Sequence, residues 1–411
     1  MTEMLNRRAF LGRSALIGCS LAASPLVTPL SFAAVPGDNR LVVIVLRGGM
    51  DGLDVVQPYG DPAFAGLRGA PALGDPEGPV DLDGYFALHP ALRPLLPLWK
   101  DGQLGFVHAV STPYRDKRSH FDGQDLLEAG LTDLGQGRSG GGWLNRVVGL
   151  QSGATAETAY AIGRDGMAIL DGAAPVARWA PESDLALSPQ ALRLAQLVMQ
   201  DDPVFSATME QALEIADSDG DAVAVEGGRR KMLSMVKSDM QSVGRGGAET
   251  RIAEFAAKRL RADTRIASFS ISGWDTHRSQ DRVLARGLSR LSEAILGLQK
   301  GLGGQVWKRT TVVAVTEFGR TARRNGSDGT DHGTGGLMLL AGGALRGGRV
   351  LGDWPGLDEA SLYQRRDLMP TRDLRAHLGW LLHSLYGLPL STISQTVFPG
   401  VDMGDDPKLI L

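Results

Sequence analysis

Cysteine is almost missing from this chain: the single one, Cys19, lies within the first 33 residues. If those residues are removed, no disulfide can stabilise the remainder and no thiolate is left to hold a metal. A long apolar run is missing too. The mildly hydrophobic part of "NRRAFLGRSALIGCSLAASPLVTPLSFA" is broken by Arg13, Pro25 and Pro29. It falls short of the ~20 residues that span a bilayer, so no membrane span is expected in the mature chain. Nor is there an excess of basic charge. The formal net charge is -3, and loss of Arg7, Arg8, Arg13 and Glu3 with the first 33 residues makes it more negative. Basic clusters such as "RTARR" and "RDKR" are local, which argues against nucleic acid as a partner but leaves room for a small anionic substrate. No phosphate-binding P-loop, dinucleotide fingerprint, fixed-period repeat or low-complexity linker is present.

Several features are there in their place. Paired Arg7 and Arg8, then Phe10 and Leu11, a weakly apolar stretch, and small residues at Ser31 and Ala33 resemble a twin-arginine signal peptide over 1–33. Such a signal implies the twin-arginine (Tat) translocation machinery as a partner and a periplasmic or other extracytoplasmic location. "LIGC", residues 16–19, also reads as a lipoprotein cleavage site acylated at Cys19, a reading weakened by the short run before it and by Arg13.

Residues 34–411 read as one α/β domain with a mostly parallel sheet flanked by helices. "RLVVIVLRGGMDGLDVV" (40–56) opens it with a near-continuous β-branched run, the pattern of a strand buried on both faces. "QLGFVHAV" (103–110), "TRIASFSI" (264–271), "RTTVVAVTEF" (309–318) and "GGLMLLAGG" repeat that pattern, with helical spacing between them. From about 188 to 262 the alternation stops, and four segments with three- and four-residue apolar spacing predict a helical insert acting as a lid or cap.

In open parallel sheets, functional residues gather beyond the carboxyl ends of the strands. Here those ends deliver Asp51 and Asp54 from "RGGMDGLD", Asp275 and His277 from "SGWDTH", Glu317 from "TEFGR", and Asp331 and His332 from "DGTDHG". Asp with His is a ligand set for a divalent transition metal, Zn or Mn first among them. Two of the seven histidines occupy these loops. A purely structural account competes: an Asx turn at Asp51, a helix cap at Asp275, and a backbone carbonyl satisfied by His332. Ser119 precedes a predicted helix with Arg115, Lys117 and Arg118 upstream, which suits a nucleophile for an anionic ester and equally suits a capping box reaching Asp122. His120 reads as a further ligand or substrate contact, or as part of the helix's buried face. His377 and His383 read as structural.

Taken in order, "LVVIVLRGGMDGLDVVQPYGDPAF", "LHPAL", "RSHFDGQDLLEAG", "GGWLNR", "GWDTH", "TEFGRTARRNGSDGTDHGTGG" and "DWPGL" resemble the DUF1501 family of bacterial exported proteins. That family in turn distantly resembles the alkaline phosphatase and sulfatase superfamily. The resemblance implies an alkaline-phosphatase-like fold in which Asp51, Asp331 and His332 hold one metal and Asp275 and His277 belong to a second. Ser119 is then the nucleophile, and Arg320, Arg324 and His120 meet the substrate's anionic group. It implies an exported metal-dependent hydrolase of phosphate or sulfate esters using one or two ions. The alternative is a non-catalytic envelope protein that binds a partner or acts as a scaffold on the same fold.

Overall fold

The computed structural model describes residues 38–180, apart from 134, 136–139, 164 and 165, and residues 247–411. The predicted signal peptide and most of the predicted insert lie outside these residues. Strand β1 (Arg40–Arg47) opens the fold, and the short strands β2 (Val56–Gln57), β3 (Val80–Asp81) and β4 (Ala87–Leu88) follow as a small antiparallel sheet. The remaining strands are β5 (Leu104–Ser111), β6 (Ala159–Ile162), β7 (Ala177–Trp179), β8 (Ile266–Ser272), β9 (Thr310–Val315), β10 (Gly336–Ala341), β11 (Val350–Leu351) and β12 (Arg372–Asp373). With β1 they form a nine-stranded sheet of order β11-β5-β10-β9-β1-β8-β6-β7, and β12 also pairs with β5.

The apolar run of β1 has no polar alternation because both faces are covered. Val42, Ile44 and Leu46 pack with Leu284, Leu288 and Leu291 of helix Gln280–Trp307, whereas Leu41, Val43 and Val45 pack with Trp143, Leu144 and helix Leu374–Tyr386 on the other side. Helix Gly247–Arg261, the last of the four predicted for the insert, belongs to the first of these layers. Its Ile252, Ala253, Phe255, Ala256 and Leu260 are buried in the same core as Phe269 of β8.

Within the nine-stranded sheet pairing is parallel except at β10, which runs antiparallel to both β9 and β5. That one reversal decides where "TDHGTGG" lies. A loop before an antiparallel strand enters at the edge where its parallel neighbours end. Residues 330–335 therefore stand beside the loops that leave β1, β8 and β9.

Candidate metal centre

The Asp331–His332 loop is held by backbone packing that explains its glycines. A Cβ on Gly329 would lie 2.2 Å from the His277 carbonyl carbon, and one on Gly333 would lie 2.3 Å from that of Arg320. Any larger residue at either position would push the loop away from both neighbours. The same contacts are hydrogen-bonded: Thr330 N donates to Thr276 O at 3.1 Å, Thr321 N to Asp331 O at 2.9 Å and Gly333 N to Gly319 O at 2.8 Å. The loops after β8 and β9 thus clamp the pair from two sides.

His120, Asp275 and His332 converge so that one ligand atom from each lies within 4.8 Å of the others. His120 Nε2 is 3.5 Å from Asp275 Oδ2, and His332 Nε2 is 3.3 Å from Asp275 Oδ1. His277 joins the edge of the group, its Nε2 3.1 Å from Asp275 Oδ1 and 2.9 Å from His332 Nε2. Ligand atoms about 2.1 Å from a single tetrahedral ion stand roughly 3.4 Å apart, so the spacing fits one ion.

The other ring nitrogens settle which way the imidazoles present themselves. His332 Nδ1 lies 2.9 Å from Arg118 O, a carbonyl that can only accept, so Nδ1 carries the proton and Nε2 a lone pair. His120 Nδ1 donates to Glu317 Oε1 at 2.7 Å and His277 Nδ1 to Asp331 Oδ1 at 3.0 Å. Both carboxylates are acceptors. Burial raises Glu317, but hydrogen bonds from His120, Gln124 and the backbone outweigh it and hold its pKa below the usual range. Burial likewise raises Asp331 and is outweighed by Asn325 and His277. His120 Nε2 is buried and makes no hydrogen bond among the described residues. The Nε2 atoms of His120 and His332 and the Asp275 carboxylate therefore face one point, while His277 Nε2, 2.9 Å from His332 Nε2 and 3.1 Å from Asp275 Oδ1, stands at its edge, where a proton on it would be donated to either. Carboxylate or carbonyl acceptors behind each imidazole are what a metal-ligating histidine requires.

Without a metal, the Glu317 hydrogen bond pushes the His120 pKa up, while burial pushes that of His332 down. Protons and metal compete for the same lone pairs. Phe318 keeps the rings in place, with centroids 5.0 Å from both His120 and His332.

Asp51 does not join this group. Its carboxylate caps the single helical turn Gly52–Val55 by accepting from Leu53 N at 3.1 Å. Arg68 Nη1 lies 2.9 Å from Asp51 Oδ2 and 2.8 Å from Asp54 Oδ1, while Gln280 Nε2 and Thr330 Oγ1 reach Asp51 Oδ2 at 2.7 and 3.0 Å. Burial raises the Asp54 pKa, and Arg68 with Arg324 more than offsets it, leaving the group ionised. Expected to close a site with Asp331 and His332, Asp51 is placed instead against Arg68, a cation supplied by the chain itself.

Other expected residues separate in the same way. Asp331 backs His277 from outside the convergence point. Arg320 is buried and donates to the carbonyls of Gly48, Gly49, Thr330 and Trp274 as well as to Asp275 Oδ1, at 2.7 Å for the last. It braces the loops from inside. Arg324 bonds Asp54 at 3.2 Å and also Asp281. Ser119 is the N-cap of helix His120–Ala129, its Oγ accepting from Asp122 N at 3.4 Å. Asp275 bonds Arg320 instead of capping a helix, and His332 does satisfy a backbone carbonyl, which is what frees its other nitrogen. Sequence reasoning placed Glu317 in the right loop and gave it no role; an acid directly after a buried strand was the available signal.

Residues 108–382 match the family described as "Protein of unknown function (DUF1501)". The match contains His120, Asp275, His277, Glu317, Asp331 and His332, and does not reach Asp51, Asp54 or Arg68. No curated protein matches the chain.

Proposed function

The chain belongs to the DUF1501 family, a description that assigns no chemistry, and from that premise we propose a metal-dependent hydrolase of phosphate or sulfate esters. The observation that carries this reading is the convergence of imidazole Nε2 lone pairs on Asp275, each imidazole fixed by an acceptor at Nδ1. His120, Asp275 and His332 would hold one divalent ion, Zn or Mn, with His277 in reach as a fourth ligand. Bound there, the ion would polarise an ester oxygen and offset the charge that grows on it. Glu317, Asp331 and Arg118 O keep the ring protons turned outward. Ser119 stands one residue before His120, where the backbone N–H groups of a ten-residue helix favour a developing oxyanion, and it is the proposed nucleophile.

The proposal includes export. Residues 1–33 would engage the twin-arginine machinery, delivering the folded chain to the periplasm or another extracytoplasmic space. Among the described residues no helix is long and apolar enough to cross a membrane.

Metal analysis by mass spectrometry, with assays on 4-nitrophenyl phosphate and 4-nitrophenyl sulfate, tests the reading. About one ion per chain and turnover that stops on chelation are expected. Protein folded with Zn and Mn available that carries no stoichiometric metal would refute it. Full turnover by metal-loaded Ser119→Ala would remove only the nucleophile assignment.

A further inference from the structure

Behind Asp331 lies a cavity of about 630 Å³ whose wall carries Arg323, Arg324, Arg365 and Arg366 beside Leu67 and Leu362. It shares one carboxylate with the histidine cluster, since Asp331 lines it and accepts from His277 Nδ1 at 3.0 Å. The acids on its wall already have partners. Asp331 also accepts from Asn325 at 3.1 Å, Asp358 accepts from the Ser361 hydroxyl at 2.6 Å, and Glu359 pairs with Arg365 at 3.2 Å.

Two of the arginines are structural: Arg324 bonds Asp54 and Asp281, and Arg366 donates to His332 O. Arg323 and Arg365 are exposed and line the same cavity. The Arg365–Glu359 pair is exposed on both sides, at 76% and 71%, so it contributes little and yields readily to a stronger partner. Guanidinium forks match the oxygens of a sulfate, phosphate or carboxylate, and a cavity of this size with leucines on its wall accepts a hydrocarbon body as well.

We propose that this cavity binds an amphiphilic anion, its oxyanion group held by Arg323 and Arg365 and its apolar body against Leu67 and Leu362. Such a ligand is the far end of an ester substrate bearing a second anionic group; that role rests on the hydrolytic reading above, whereas the binding does not.

Titration calorimetry on the full chain in the presence of a chelator, with naphthalene-2-sulfonate and methanesulfonate as probes, separates the two. Naphthalene-2-sulfonate is expected to bind at least about tenfold more tightly than methanesulfonate, because only it reaches the leucines. The double substitution R323A/R365A is expected to weaken it by about tenfold or more, and R323K/R365K by less. His332→Ala is expected to leave it unchanged. Absence of binding, binding by R323A/R365A as tight as the parent's, or equal loss in His332→Ala would overturn the proposal, the last by placing the anion at the histidines. If the expected pattern holds while 4-nitrophenyl esters are not turned over, the cavity stands and the hydrolytic reading falls.

Discussion

Asp51 and Asp275 stand on loops that leave neighbouring strands, β1 and β8, and as sequence their settings, "GMDG" and "GWDTH", look equally suited to a cation. The difference between them lies in what else arrives. Around Asp51 come donors: Arg68, Gln280, Thr330 and backbone N–H groups, so the carboxylate is buried with its charge already matched. Around Asp275 come His120 and His332, whose Nδ1 protons go to Glu317 and Arg118 O, so acceptors accumulate, opposed among the described residues by Arg320. A carboxylate whose neighbours are all donors is a structural element; one that meets a cation on one side and imidazole nitrogens free to accept on the other has room for a cation from outside.

The largest expected effect comes from removing a lone pair. His332→Ala is expected to lower Zn or Mn affinity by about 10³-fold, near 4 kcal/mol, while the urea-unfolding free energy of metal-free protein changes by less than about 1 kcal/mol. Stoichiometric metal retained by this variant would show that the two regions do not differ in the way described. Arg68→Met is the mirror experiment. It removes the cation that two buried carboxylates share, leaving Arg324 at Asp54, and a stability loss of about 3 kcal/mol is expected with metal affinity changed less than about tenfold. A variant that unfolds readily but still binds metal confirms the division; one that loses metal at unchanged stability reverses it.

A smaller effect is expected at one remove from the convergence point. Glu317→Gln keeps an acceptor for His120 Nδ1 but loses the charge that makes this imidazole a good donor to metal. Affinity is expected to fall about 10–100-fold, measured by competition with a chromogenic chelator. No change would mean that His120 is not a ligand.

How much of this could be seen beforehand follows from which interactions are local. The buried runs at 40–47, 266–272, 310–315 and 336–341 declare themselves because burial on both faces leaves no polar alternation. Their ends in turn mark the loops carrying Asp275, His277, Asp331 and His332. The direction of β10 and the partner of Asp51 depend on contacts far apart in sequence. Nothing in "FAGLR" announces that Arg68 will turn into Asp51 and Asp54. In sequence His120 reads as a ligand only among other roles, because the proton of its Nδ1 goes to Glu317, 197 residues away.

His377 sharpens the comparison from outside it. It is buried on helix Leu374–Tyr386, and neither ring nitrogen makes a hydrogen bond among the described residues. An imidazole lacking partners is thus insufficient to make a site; the cluster differs because several such groups converge. Burial first, and then Arg372, drive the His377 pKa down to about 3, against about 6.5 in the unfolded chain. A depressed folded-state pKa means that the unfolded chain takes up the proton first as pH falls. The folded state is therefore at full strength above about pH 6.5 and weakens from there toward pH 3. His377→Leu removes both the unsatisfied nitrogens and this linkage. It is expected to stabilise the protein by about 1 kcal/mol at pH 7, and by more at pH 5, in urea titrations followed by circular dichroism. If the variant is instead less stable at both pH values, His377 has a partner that matters to the fold, and the contrast with the metal centre rests on convergence alone.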